Sequence, residues 1–162
     1  AFHAWLEQRW GAAPLVELDD LPGAQDEGAA DDAALPALQA RFEASEWASR
    51  TPVAVEVAVE TPVDGTVLRG RLDAVFRTPS GGYEVVDWKT GRPPAAGDAA
   101  AAAVQLAVYR LAWSRVADVP LEQVSAAFFY AATGTTVRPV EGLDEAALVA
   151  VLRSAAVLPP EA

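Results

Sequence analysis

The spacing of apolar positions changes period along the chain, and each change marks an element. Phe2, Leu6 and Trp10 recur at helical spacing and Gly11 stops the run, which predicts a short amphipathic helix from Phe2 to Trp10. Residues 12–32 hold Pro14, Pro22, Gly23 and Gly28 among acidic side chains and read as an acidic loop. Leu35, Leu38, Phe42 and Trp47 form the stripe of a second helix over 33–49, closed by Pro52. The period then drops to two. Val53, Val55, Val57 and Val59 alternate with Ala54, Glu56, Ala58 and Glu60, the pattern of a half-buried strand. Asp64-Gly65 is a hairpin signal, Thr66 to Arg77 reads as a second strand, and Pro79-Ser80-Gly81-Gly82 as another turn before a third strand, Tyr83 to Lys89. Connections this short predict an antiparallel meander.

A loop with Gly91, Pro93, Pro94 and Gly97 follows. Asp98 reads as the N-cap of a helix that runs through an alanine tract to about Val116. Val124 to Ala132 is a fourth predicted strand, Thr135 to Val140 a short fifth beyond Gly134, and Leu143 to Val157 a closing amphipathic helix before Pro159-Pro160. The order predicts an α/β domain, a sheet with helices packed on its faces, spanning residues 1–162.

Composition narrows the chemistry. At 162 residues, 52% hydrophobic and 22% charged, the chain is long and apolar enough for one domain with a real core. It has no cysteine, which excludes disulfides, thiolate zinc sites, iron–sulfur clusters and cysteine nucleophiles together. It has no methionine either, and is expected to be a piece of a longer protein. No basic segment leads into an apolar stretch and no apolar run reaches membrane-spanning length, so the expected location is cytoplasmic, with no membrane partner. The net charge of −11 argues at first against nucleic acid, but seven acidic residues fall between Arg9 and Arg41 with no basic one. That run reads as a solvated loop, and the balance elsewhere is close to −4, from −11 + 7. Of 12 Lys and Arg residues only Lys89 is lysine, an Arg-over-Lys bias of the kind a high-GC genome produces. A lone lysine in such a chain points to a place where the compact, titratable amine is needed.

The middle strands carry an unusual polar set. Asp87 and Lys89 share one face of the third strand, with Val86 and Trp88 on the other. Asp73 lies in the second strand among apolar residues, as Asp87 does in the third. A carboxylate there costs several kcal/mol unless it is paired or binds a metal. The meander brings Asp73 and Asp87 together, and a divalent cation resolves their repulsion. Oxygen ligands without cysteine favour Mg²⁺ or Mn²⁺ over zinc. Gln105 and Tyr109, four apart, share a helix face, and His3 stands one turn before Glu7. Glu56 lies on the polar side of the first strand. Competing signatures are missing: there is no phosphate-binding Gly-x-x-x-x-Gly-Lys-Ser/Thr loop, no Gly-x-Ser-x-Gly elbow and no His-Glu-x-x-His.

Gly70-Arg71-Leu72-Asp73, Asp87-Trp88-Lys89-Thr90-Gly91 and Gln105-x-x-x-Tyr109 together resemble the RecB-like branch of the PD-(D/E)xK nuclease superfamily. Phe2-His3-x-x-Leu6-Glu7 matches that family's histidine helix, and Phe128 to Pro139 looks like the tail of actinobacterial helicase–nucleases of the UvrD/RecB type. The resemblance implies a restriction-endonuclease-like core with a mixed sheet and a divalent metal, Mg²⁺ or Mn²⁺. It implies a DNA nuclease of the exonuclease type, placed behind a helicase motor that alone would use ATP. By the same resemblance Asp73 and Asp87 would be metal ligands, with His3 and the Trp88 backbone carbonyl completing the site. Lys89 would orient or activate the attacking water and stabilise charge on phosphate, and Gln105 and Tyr109 would position substrate or brace the site. The expected partners are DNA delivered by the motor domains and a second helicase–nuclease subunit. Some relatives carry an iron–sulfur cluster, which the absence of cysteine excludes here. The alternative reading is a nuclease fold retired to structural or DNA-guiding work in a helicase complex.

Overall fold

The computed structural model describes residues 1–11, 28–139 and 144–157. Helix α1 (Phe2–Arg9) and helix α2 (Gly28–Glu43) precede a 3-10 turn, Glu46–Ser49. Strands β1 (Ala54–Val63), β2 (Thr66–Arg77) and β3 (Tyr83–Lys89) form the expected meander. Helix α3 (Ala96–Val116) crosses to β4 (Val124–Tyr130), which pairs parallel with β3, and β5 (Thr135–Val137) returns antiparallel before α4 (Glu145–Val157). The result is a five-stranded mixed sheet in sequential order, β1 to β5, with helices on its faces, the restriction-endonuclease-like architecture expected from the sequence. No helix among the described residues is long and apolar enough to cross a membrane.

The two sheet faces bury different sets. Ala74, Phe76, Val86, Trp88, Ala127 and Phe129 pack against Phe2, Leu6, Leu38, Phe42 and Trp47 from the α1–α2 side. Val75, Val85 and Val124 pack against Ala112 and Trp113 of α3. The aromatic side is dense: Trp88 contacts Trp10, Phe42, Trp47, Phe76 and Phe129 at centroid separations of 5.6–6.3 Å. This core fixes β3 and anchors α1, so His3 on α1 is held over the same strand.

Several boundaries differ from the sequence reading. The loop assigned to 12–32 loses its last residues to α2, which begins at Gly28; 12–27 lie outside the described residues. The second helix ends at Glu43 rather than Ser49. The Ser45 hydroxyl donates to the Phe42 carbonyl (2.6 Å) and accepts the Trp47 N–H (3.3 Å), diverting the backbone into the 3-10 turn. Asp98 is not the N-cap of α3; the cap is Ala95, three residues earlier, in an extended conformation. The fifth strand stops at Val137, just ahead of Pro139, which has no N–H to offer a ladder; Val140 lies outside the described residues.

The largest departure is in β1. Its two-residue alternation breaks at Glu56, which takes a left-handed φ of 52°. Val55 packs on the α1–α2 side, whereas Val57 and Val59 pack on the α3 side. The β1–β2 register joins Val55 to Ala74 and Val57 to Leu72, passing over the Glu56–Asp73 position between them. Opposite the break, Leu72 and Ala74 likewise fall into different cores.

At the far end of β3, Glu84 is buried and pairs with Arg50 (3.1 Å) and Arg138 (2.8 Å). It faces away from Asp87 and joins the 3-10 turn, β3 and the residue after β5. Glu84→Ala is expected to lower stability by about 2 kcal/mol in a denaturant melt. That is less than for a fully buried pair, because both guanidinium groups keep contact with water. A melt matching wild type would show that the cluster contributes nothing.

Candidate active site

The site forms where the β2–β3 ladder opens. Regular pairing ends at Ala74↔Val86. One step further on, Asp73 and Asp87 stand at neighbouring positions and the backbone of Trp88 loses its strand partner. Side chains replace it: the Trp88 N–H donates to Asp73 Oδ2 at 2.7 Å, and His3 Nε2 lies 2.8 Å from the Trp88 carbonyl. That carbonyl can only accept, so Nε2 carries the proton in this arrangement. His3 Nε2 is also 3.7 Å from Asp73 Oδ2. On the other side of β3 the parallel ladder continues through Lys89↔Tyr130.

Asp87 is 6% exposed. The Lys89 ammonium lies 2.8 Å from Asp87 Oδ2 as an ion pair. The approach does not meet hydrogen-bond geometry, which leaves that buried oxygen without a hydrogen-bond partner. Lys89 also donates to Gln105 Oε1 at 3.3 Å, and Gln105 Nε2 donates to the Tyr109 hydroxyl at 3.2 Å. The Tyr109 ring lies against Gly70: a Cβ there would come within 2.5 Å of Tyr109 Cε1. The glycine of the Gly70–Asp73 motif is thus required by close approach of a ring. The structure therefore brings Asp73, Asp87, Lys89, Gln105, Tyr109, His3 and the Trp88 carbonyl around one cleft of about 550 Å³.

Charge in the cleft is unbalanced. Burial, followed by the charge of Asp87, pushes the Asp73 carboxyl well above the usual carboxylate range; Glu56 adds to this and the Trp88 N–H opposes it. For Lys89, burial lowers the pKa, but the contact and charge of Asp87, with Asp73 behind it, raise it overall. Lys89 is consequently an ammonium and not a free base. Glu56, whose role the sequence left open, is turned to an ion pair with Arg71.

Among the described residues, no three His, Asp or Glu side chains form a finished metal cage. His3 is engaged with the Trp88 carbonyl instead. The donor set nevertheless suits a hard divalent cation: two adjoining carboxylates, a strand carbonyl and an imidazole. The upward pressure on Asp73, which comes from burial and from the charge of Asp87, is relieved by positive charge placed between the two carboxylates. Of the arginines near the motifs, Arg71 and Arg92 line the cleft. Arg77 instead lines a separate hollow with Arg50, Glu84 and Arg138, and Arg69 pairs with Glu60 in solvent (2.9 Å).

The cleft thus sets paired strand carboxylates, and a lysine two residues after the second, on an α/β core of this topology. The sequence matches the PD-(D/E)XK nuclease superfamily over residues 1–157, and the chain belongs to that superfamily, whose nucleases generally use divalent metals. A search of curated proteins finds no significant match. Among solved structures, one described as the crystal structure of SSO0001 is similar at 24% identity and a TM-score of 0.44. The alignment covers 80% of this chain and 59% of that one, so this chain spans less than two thirds of that protein's length.

Proposed function

We propose that this chain is a RecB-like, Mg²⁺- or Mn²⁺-dependent DNA nuclease domain, an exonuclease module of a helicase–nuclease that processes DNA ends for recombinational repair in the cytoplasm. The observation that carries the reading is the meeting of Asp73, Asp87 and Lys89 in one cleft, with Asp73 driven toward protonation by burial and by the charge of Asp87.

Asp73, Asp87, the Trp88 carbonyl and His3 would hold the metal. When bound, the cation supplies charge neutralisation on the phosphate and a water of lowered pKa. His3 would surrender its Nε2 proton to serve as a ligand. Lys89, already an ammonium, donates to a non-bridging phosphate oxygen and orients the attacking water, stabilising charge that grows during in-line displacement. Gln105 fixes the lysine through its carbonyl oxygen, and Tyr109, seated on Gly70, fixes Gln105. Arg71 and Arg92 steer the phosphate backbone into the cleft.

A domain of net charge −11 is poorly suited to capturing DNA alone. In this reading the strand is delivered by ATP-driven motor domains elsewhere in a longer actinobacterial protein of the UvrD/RecB type, together with a second helicase–nuclease subunit. The test compares the isolated chain with the intact protein for binding and cleavage of end-labelled DNA. Weak binding by the isolated chain and processive cleavage by the intact protein are expected; equal, tight binding by both would contradict delivery by the motors. Metal binding without cleavage by either would favour a retired nuclease fold.

A further inference from the structure

The β4 side of the cleft carries a group that the motifs do not include. The side chain of Tyr130 is on the α3 face, packed with Leu106 and Phe128, and the residue is 5% exposed. Its Cα partner across the parallel ladder is Lys89. Its ring lies 5.7 Å from that of Phe128, over which the Lys89 ammonium sits at 5.6 Å. Tyr130 lines the same cleft as Asp73, Asp87 and Lys89. Because the sheet order is β2-β3-β4, Asp73 and Tyr130 flank the Asp87–Lys89 strand on opposite sides.

The ring is buried, yet its hydroxyl makes no hydrogen bond with any described residue, and it is not among the fully buried unpartnered atoms. A phenol held this way opens its O–H onto the cleft. The neighbouring cation is pinned by Asp87, Gln105 and the Phe128 face, so it does not take up that hydroxyl. Burial raises the phenol pKa, with Lys89 opposing and Asp87 adding to the rise, so the oxygen keeps its proton and remains a donor.

Resting on the nuclease reading, we propose that Tyr130 is a further catalytic residue, donating a hydrogen bond from its hydroxyl to a non-bridging oxygen of the phosphodiester engaged by Lys89. The cleft then offers the phosphate a neutral donor from β4 beside the Lys89 ammonium of β3, while Asp73 and Asp87 would hold a cation on the β2 side. A neutral donor suits that position because it adds a hydrogen bond without further raising the charge that holds the product.

The experiment measures Mn²⁺-dependent cleavage of an end-labelled single-stranded oligonucleotide by the intact protein, as wild type, Tyr130→Phe and Lys89→Arg. Tyr130→Phe removes only the hydroxyl, which has no hydrogen-bond partner to lose among the described residues. It is expected to lower kcat by roughly ten- to a hundredfold while changing KM by less than about threefold. Its melting temperature and Mn²⁺ affinity should equal those of wild type. Cleavage by Tyr130→Phe at the wild-type rate would overturn the assignment, and so would a loss of cleavage that tracks a loss of stability or of Mn²⁺ affinity. If wild type cleaves and Lys89→Arg does not, the nuclease reading stands whatever Tyr130→Phe does. A wild type that cleaves nothing removes both.

Discussion

Lys89→Arg and Lys89→Ala are expected to fold as wild type, to bind Mn²⁺, and to lose DNA cleavage by at least about a hundredfold, the scale of one well-placed electrostatic or acid–base group. The arginine variant is the more informative because it preserves the charge. If Lys89 were only an ion-pair partner for Asp87, arginine would serve and stability would move by no more than about 1 kcal/mol. The cleft imposes a stricter demand. The ammonium is confined by Asp87 at 2.8 Å, Gln105 at 3.3 Å and the Phe128 ring at 5.6 Å. A planar guanidinium is broader and cannot place one compact donor in that space. Near wild-type cleavage by Lys89→Arg in the intact protein would remove the role assigned to this lysine.

Asp73→Asn is expected to cost cleavage about a thousandfold or more, since the charge stabilisation a metal supplies is worth several kcal/mol. It should nevertheless make the metal-free protein more stable at neutral pH. Asparagine retains an acceptor for the Trp88 N–H but removes a charge that burial and Asp87 disfavour. The pH dependence follows from the direction of that shift. Asp73 holds its proton more tightly folded than unfolded, so the folded state binds more protons once pH exceeds the ordinary carboxylate range. The stability linked to this group is present below that range and is lost as pH rises through the elevated folded pKa. Thermal melts in a chelator, run from acid to neutral pH, should show the loss in wild type and its absence in Asp73→Asn. Added Mn²⁺ should restore stability to wild type, most strongly at the upper end, where it does not compete with a proton. Parallel pH profiles for the two proteins would mean that Asp73 is not under the repulsion described.

Much of this was legible in the sequence because the relevant signals are local. The period-two strands and short turns specify the meander, and adjacency of β2 and β3 then brings Asp73 beside Asp87. The Asp87–Lys89 spacing puts both on one strand face. What was not legible depends on departures from regularity and on long-range packing. Val53, Val55, Val57 and Val59 look like one face of a strand, and nothing in their order signals the left-handed turn at Glu56 that moves Val57 to the other side. Tyr130 reads as an apolar strand residue, because its relation to Lys89 exists only once α3 has carried the chain over to a parallel β4. Arg77 is near Arg69 and Arg71 in sequence, but the length of β2 carries it to a separate hollow away from the cleft. The requirement for glycine at position 70 emerges only from the Tyr109 ring across from it.

The most direct test of the central claim is cleavage of end-labelled single-stranded and duplex DNA by the intact protein in chelator, Mg²⁺ and Mn²⁺, with Asp87→Ala alongside wild type. Shortened labelled products are expected from wild type with either metal, with none in chelator and none from Asp87→Ala under any condition. Metal-independent cleavage, or cleavage by Asp87→Ala at the wild-type rate, would contradict a metal-dependent phosphodiesterase centred on Asp73, Asp87 and Lys89.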